Sequence, residues 1–388
     1  MLKLSGKVVR IHAVDVTQVK RLVKVSTNSR LPEVLRRDRA FMVSSSLVPS
    51  GFAHYLILLK DLECVPAIPS GAGYTILPDD YSYLGDGDII RLSQGRDSVR
   101  VLFRASSPHN SILLTERCNN YCLMCSQPPK AVDDSWLLDE IEELIPLIPK
   151  DTAELGFTGG EPTTDRERFL KILSLTKSYL PRTAVHILSN GRSFKEAGFA
   201  NAYAKIELPD AMVGIPIYSD DPVLHDYIVQ ARGAFDETIQ GILNLKRVGQ
   251  KVEIRIVLHK LSIKRLPELC EYICRNLLFV DHVALMGLEM MGFTRANLEE
   301  LWIDPVDYKD VLSTSVNILR KYGIQVSVYN HQLCLVNNDI RPYYRQSISD
   351  WKNEYATECL PCTKRSECGG FFSSGIKHGY STSLVPFV

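Results

Sequence analysis

Cys118, Cys122 and Cys125 stand together in the stretch "CNNYCLMC", with three residues and then two between them. Thiolates are soft ligands that select zinc, copper(I) or iron–sulfur clusters. A structural zinc site is closed by four ligands. A four-iron cluster held by three cysteines keeps one iron open, and an open iron can bind a small chelating molecule and pass it an electron. The spacing points to an iron–sulfur site, with a shared zinc site or unligated thiols as the alternatives. A second group, Cys334, Cys359, Cys362 and Cys368, carries a CxxC at its centre and completes a metal site by count. Zinc is the usual occupant of such pairs. Cys64, Cys270 and Cys274 are expected to be small buried apolar residues, the last two sharing a helix face at a spacing of four.

These residues need elements to position them. At 388 residues the chain can bury a sizeable core and is long enough for more than one domain. Residues 1–108 read as a β-rich domain, from short runs such as "KVVRIHAVDV", "AHYLILLKDL" and "DSVRVLFRAS" with turn residues at "LGDGDIIRL". Residues 109–330 alternate strand candidates ("SILLT", "AELGFTG", "AVHILSN", "AMVGIPIYS", "VEIRIVLHK", "HVALMGLEM") with amphipathic stretches, and Pro305 and Gly323 punctuate the last helix. Six strands each followed by a helix predict a parallel sheet with right-handed crossovers, as a partial (β/α)6 barrel, an α/β fold; an open doubly wound sheet is the alternative. Residues 331–388 form a cysteine-rich C-terminal extension with little periodicity. In such sheets the chemistry sits at the carboxyl ends of the strands, where the cysteine loop, "TGGEPTT", "SNGR", "YSDD" and "GLEMMG" all fall.

Lys+Arg and Asp+Glu are both 45, so composition gives no support for a nucleic-acid or anionic-membrane partner. No stretch is apolar for long enough to span a bilayer, and the start lacks a signal peptide's apolar core. A cytoplasmic protein is the expectation, and clustered cysteines in a reducing compartment more often bind metal than form bridges.

"CNNYCLMC" followed by "TGGEP" resembles the radical S-adenosylmethionine (SAM) superfamily over roughly residues 110–330. The resemblance implies a 4Fe-4S cluster on Cys118, Cys122 and Cys125 whose open iron chelates SAM. Reductive cleavage of SAM then gives methionine and a 5′-deoxyadenosyl radical that abstracts hydrogen from a substrate. It implies further contacts: Leu123 near the adenine, Gly159, Gly160, Glu161 and Pro162 at the methionine amino group, Ser219 at the ribose and Arg232 at the methionine carboxylate. Ser189 and Asn190 in "LSNG" have similar standing, although Asn-Gly is also a routine turn. Two glycines let a backbone approach closely, and the Glu161 carboxylate can accept from an ammonium. The same resemblance turns the tail cysteines toward an auxiliary 4Fe-4S cluster, zinc being the alternative, with Gly369 and Gly370 offering N–H groups to the Cys368 sulfur.

The cysteine-loop flank, the β-rich N-terminal region and the tail "SISDWKNEY…CLPCTKRSECGGFF" together resemble the His-Xaa-Ser system radical SAM maturases of the C-component type, over nearly the whole chain. That implies a ribosomally made peptide or protein substrate, an electron donor such as flavodoxin or ferredoxin, and a second radical SAM partner. The N-terminal domain is expected to recognise substrate or partner, for example by strand addition at a sheet edge. The alternatives are a radical SAM enzyme acting on a small molecule or nucleic acid, and an iron–sulfur electron carrier or scaffold. Glu289, Asp350, His331 and Tyr329 are the acid–base candidates, none singled out.

Overall fold

The computed structural model describes residues 2–12, 22–43, 48–65, 67–93, 96–346 and 353–388, so Asp350 lies outside the described residues. The first sheet has eight strands: β1 (Ser5–Lys7), β2 (Arg10–His12), β3 (Leu22–Ser26), β4 (Arg39–Val43), β5 (His54–Leu58), β6 (Gly73–Leu77), β7 (Ile89–Ser93) and β8 (Ser98–Phe103). Their order is β1-β8-β7-β3-β4-β5-β6-β2. The two edges, β1 and β2, are consecutive in sequence and three residues each. Between them Val8 N–H donates to Asp97 O at 2.8 Å beside β8, and Val9 N–H to Ile76 O on β6 at 2.9 Å. One short run therefore pairs with both sides and closes the sheet on itself. Strand addition at an edge of this domain, expected from sequence, loses its template, because closure removes long unpaired edges.

The second sheet is fully parallel and sequential, from β9 (Asn110–Leu113) through β10 (Glu154–Thr158), β11 (Ala184–Leu188), β12 (Ala211–Pro216), β13 (Lys251–Leu258) and β14 (His282–Gly287) to β15 (Val326–Tyr329). Parallel neighbours need crossovers, supplied by helices such as Ser135–Leu144, Arg166–Tyr179, Ala234–Arg247, Leu266–Asn276 and Pro305–Lys321. The partial (β/α)6 barrel thus carries a seventh strand, β15, which the sequence reading left unassigned. Helix Ala197–Ala204, only eight residues long, likewise has no clear periodic signal in the sequence.

Strand residues of one parity (Val185, Ile187, Val252, Ile254, Ile256) join the helices in the main core. The other parity, including His186, Leu188, Glu253 and Arg255, faces the opposite side of the sheet, because side chains alternate along a strand.

The two sheets are welded together. Leu22, Ile89 and Phe103 of the first belong to the same buried cluster as Ile112 of the second and Leu138 and Ile141 of helix Ser135–Leu144. Glu140, 2% exposed, stands 2.8 Å from Arg91 Nε and 2.8 Å from Arg100 Nη1. Burial pushes its carboxyl up, and both guanidiniums pull it back down. Among the remaining cysteines, Cys270 and Cys274 are buried, as expected. Cys64 is exposed, against expectation: it ends the short 3-10 helix Leu59–Cys64 on the surface, where no core face is offered. Among the described residues no helix is long and apolar enough to cross a membrane.

Candidate active site

The loop after β9 is fixed before any ligand arrives. Buried Asp134 receives Thr115 Oγ1 at 2.8 Å and Arg117 Nε at 3.0 Å. Tyr121 N–H and Leu123 N–H donate to Val229 O and Ile228 O at the end of helix Pro222–Val229. On the other flank Phe293 N–H, Thr294 Oγ1 and Asn297 Nδ2 donate to the carbonyls of Cys125, Met124 and Leu123. Arg192 Nη1 donates to Asn119 O at 2.9 Å and Asn120 Oδ1 at 2.6 Å while its Nε holds Glu237. With the backbone satisfied by neighbours, the thiols of Cys118, Cys122 and Cys125 are left to line a cavity of about 630 Å³.

Gly159 and Gly160 line the same cavity. Their hydrogens are a steric requirement. A Cβ on Gly160 would lie 2.2 Å from Arg117 O, and one on Gly159 2.5 Å from Thr115 O. Gly160 N–H and Glu161 N–H donate to Thr115 O and Arg117 O, both at 2.8 Å, so this turn and the cysteine loop are laced backbone to backbone.

Glu161 has a different place from the one read in sequence. It is 0% exposed and its carboxylate accepts from Thr163 N, Thr163 Oγ1, Ser189 Oγ (2.8 Å) and Asn190 N (2.6 Å). Burial pushes its pKa up and the four donated bonds pull it down. The carboxylate is a bracket between two strand-end turns and does not line the cavity; Pro162 starts the buried turn beside it. Ser189 and Asn190, held by that bracket, do line it. Ser219 does not: its Oγ is buried and accepts Asp221 N at 3.0 Å, a local turn bond. Leu123 packs among Met124, Tyr218, Ile228 and Leu301, away from the cavity lining, and Arg232 is exposed outside it. Residues the sequence reading missed, Asn120, Tyr218, Arg255 and Asn330, also line the cavity. Their signal was strand-end position and parity, weak until the register is known.

Of the acid–base candidates, Glu289 lines the cavity. His331 is buried with both ring nitrogens engaged, Nε2 with Tyr308 OH at 2.8 Å and Nδ1 with Tyr329 O at 2.7 Å. Burial lowers its pKa to about 4. Tyr329 is half-buried and lies outside the cavity lining.

The loop thiols suit a thiolate-held group. Burial pushes all three up, Cys118 to about 11, so they stay protonated until a cation displaces the protons. Asn120 N–H already points at Cys118 Sγ from 3.4 Å. In the tail, Cys334, Cys359, Cys362 and Cys368 line one small cavity of about 20 Å³. Leu333 N–H and Gly370 N–H approach Cys368 Sγ at 3.4 Å each. Gly369 N–H does not, since it donates to Tyr344 OH at 2.6 Å. Among the described residues no three His, Cys, Asp or Glu side chains converge as they do around a single metal ion.

A parallel partial barrel with three thiols and a Gly-Gly turn at its strand ends defines a class, and residues 112–273 match the family model of the radical SAM superfamily. Over those residues the chain carries a radical SAM domain. That superfamily implies a 4Fe-4S cluster and SAM. Among curated proteins it is similar to GTP 3′,8-cyclase of Aquifex aeolicus (strain VF5), 26% identical over 161 residues, covering 38% of this chain and 47% of that protein. The chain thus spans about half the length of the curated relative it matches. Solved structures with a similar outline include Streptococcus suis SuiB bound to S-adenosylmethionine, at 17% identity and TM-score 0.47, covering 59% of this chain and 51% of that one. Coproporphyrinogen III oxidase (HemN) from Escherichia coli has 14% identity and TM-score 0.43, covering 56% and 54%.

Proposed function

We propose that this radical SAM enzyme modifies a ribosomally made peptide or small protein bearing His-Xaa-Ser units. The observation that carries the reading is the composition of the cavity wall. The space at the loop thiols is bounded by Val101–Arg104 and Ser107 of the N-terminal domain and by Phe372 of the tail as well as by the barrel. A substrate reaching the thiols therefore lies along a second domain, which suits a chain molecule with a side chain inserted. The volume also falls within the ~300–1,000 Å³ of ligand sites in general.

Cys118, Cys122 and Cys125 hold the 4Fe-4S cluster, and Gly159, Gly160, Ser189 and Asn190 form the wall against which SAM packs. When bound, the cluster and SAM supply an electron to the sulfonium and a 5′-deoxyadenosyl radical that takes hydrogen from the substrate. The chain's own part is to keep the loop rigid through Asp134, Arg192 and Asn297, and to hold the Gly-Gly turn against it through Glu161. Glu161, Pro162, Leu123 and Ser219 act by shaping; Arg232 stands outside. The four tail cysteines hold an auxiliary 4Fe-4S cluster. The support for this reading is that all four thiols line one small cavity; zinc is the alternative occupant. A flavodoxin- or ferredoxin-type donor and a second radical SAM partner belong to the same proposal.

The likeness to GTP 3′,8-cyclase favours a second reading, a small-molecule substrate. Reduced, cluster-loaded protein with SAM separates the two. A synthetic His-Xaa-Ser peptide should raise 5′-deoxyadenosine and change in mass; stimulation by GTP and not by peptide would sink the peptide reading.

A further inference from the structure

Below the thiols the cavity continues. A smaller space of about 50 Å³ shares Asn110, Ser111, Thr158, Leu188 and Arg255 with the large one and reaches down the inner face of the sheet to His186 on β11. Two strands away, on β13, Glu253 is 5% exposed, a carboxylate inside the barrel. His186 and Glu253 meet across β12 because the residue between them, paired with Glu253 in the register, is Gly214. A Cβ there would lie 3.1 Å from His186 Nε2 and 3.0 Å from Arg255 Cδ. Glycine weakens a strand interior, so its presence here marks a close approach that the barrel uses. Gly156 on the other flank of β11 opens the space the same way, its absent Cβ falling 2.9 Å from Ser111 Oγ.

The charges around Glu253 form a chain. Its Oε1 is 2.8 Å from Arg255 Nη1 and 3.5 Å from His186 Nε2. Its Oε2 is 2.7 Å from His282 Nδ1, and His282 Nε2 meets Ser327 Oγ at 3.0 Å. Tyr329 on β15 faces Glu253 and Arg255, and Glu154 on β10 and His109 line the lower space. Despite burial, the facing His186 ring, the hydrogen bond with His282 and the Arg255 charge hold the Glu253 carboxyl well below the usual range. His186 Nε2 is buried and lacks a close hydrogen bond; the carboxylate is the acceptor nearest to it. An Nε2–H tautomer satisfies that atom and makes Nδ1 the ring's free base. The arrangement places a base backed by a buried anion in a small space that shares its wall with the large cavity.

We infer that His186 is the proton acceptor for the substrate, positioned by Glu253, with His282 and Ser327 as the next members of the relay. The step is a plain proton transfer. An N–H or O–H bond of the substrate breaks, its electron pair stays on the substrate heteroatom, and the proton bonds to His186 Nδ1, leaving an imidazolium against the Glu253 carboxylate. The inference rests on the reading of a substrate rich in imidazole and hydroxyl groups.

Two measurements on the full chain test it. The first needs no substrate: histidine-selective nitrogen-15 NMR, which reads the ring tautomer, on the protein and on Glu253→Gln. The carboxylate faces Nε2, so His186 should hold its proton on Nε2 in the protein and lose that preference in the variant; an unmoved tautomer ratio overturns the inference. The second uses cluster-loaded protein, SAM and a synthetic His-Xaa-Ser peptide, and reads modified peptide per 5′-deoxyadenosine. His186→Phe should lower that ratio at least about tenfold and abolish the rise of product formation with pH; an unchanged ratio and profile overturn it. Gly214→Ala keeps every titratable group and separates His186 from Glu253, so it should reproduce both effects if the Phe variant fails to fold. If the unmodified protein ignores the peptide, the peptide reading falls, and the tautomer measurement still decides the role of Glu253.

Discussion

The two cysteine groups are both carried on loops, yet three loop thiols open on about 630 Å³ and four tail thiols on about 20 Å³. The first set sits at the ends of parallel strands, where six crossovers point their turns at one rim. The second sits in a short-element tail, wrapped by Tyr355, Phe371 and Phe387. Count and room agree: the set with a missing thiol is the set with space for another ligand. The difference teaches that the local ligand number and the surrounding architecture were specified together. The glycine next to each set makes the same point. Gly160 lets one backbone press on the cysteine loop, and Gly370, at φ +62°, lets Cys368 turn back with a Cβ position only 2.3 Å from Glu354 O.

The sharpest way to break the comparison is to remove thiols. Cys118→Ala, Cys122→Ala or Cys125→Ala should abolish SAM cleavage, measured as 5′-deoxyadenosine, and should remove one cluster's iron while leaving the other's. A Cys359→Ala/Cys362→Ala double variant should lose the proposed tail cluster, read by iron content and electron paramagnetic resonance, and keep substrate-free SAM cleavage. Equal loss in both variants would erase the distinction.

Glycine substitutions come next. Gly160→Ala should cost about 1–3 kcal/mol of unfolding free energy from overpacking and lower SAM affinity by about 10–100-fold, the scale of lost supporting contacts. Gly370→Ala should cost a similar amount of stability, with SAM affinity unaltered. Isothermal titration with SAM and urea unfolding separate the two.

Acid should strike both regions alike. His225 and His259 pack on Tyr218 behind the loop, and His331 supports the base of the tail. Burial lowers their pKa values to about 4, about 3 and about 4. A buried neutral histidine takes no proton while its unfolded counterpart does, so stability is intact above about pH 6.5 and falls as pH drops toward 4. Each costs on the order of 2 kcal/mol between pH 7 and pH 5. Urea unfolding at the two pH values should show His225→Gln and His331→Gln each flattening this slope by a comparable amount. The smallest effect is expected at the weld: Glu140→Gln should lower stability by about 1–2 kcal/mol, because Arg91 and Arg100 are partly exposed and can rehydrate.

Much of the barrel was legible because its signals are local. Apolar runs of strand length, Pro305 after Asp304 and Gly323 after the last turn announce elements without knowledge of their neighbours. The cysteine spacing and the Gly-Gly turn are local as well. What escaped depends on partners far away in sequence. Glu161 turns inward because Ser189 and Asn190 arrive 28 and 29 residues later with their donors. His186 and Glu253 became a pair only once β12 put a glycine between them. Closure of the first sheet needed residues 8 and 9 to find positions 97 and 76. Strand β15 was missed because "VSVY" is short and follows a long helix, so no further crossover flags it.

The weld at Glu140 has one more consequence. With Arg91, Arg100 and a shared apolar core fastening the first sheet to the barrel, the C-terminal end of β8 stands at a set distance from Cys118, Cys122 and Cys125. The molecule is then a ruler. For the peptide substrate proposed above, a chain held at one end on β8 would offer the thiols whichever residue lies a fixed number of positions further on, so changing that spacing in the substrate, without touching the enzyme, should change the residue modified.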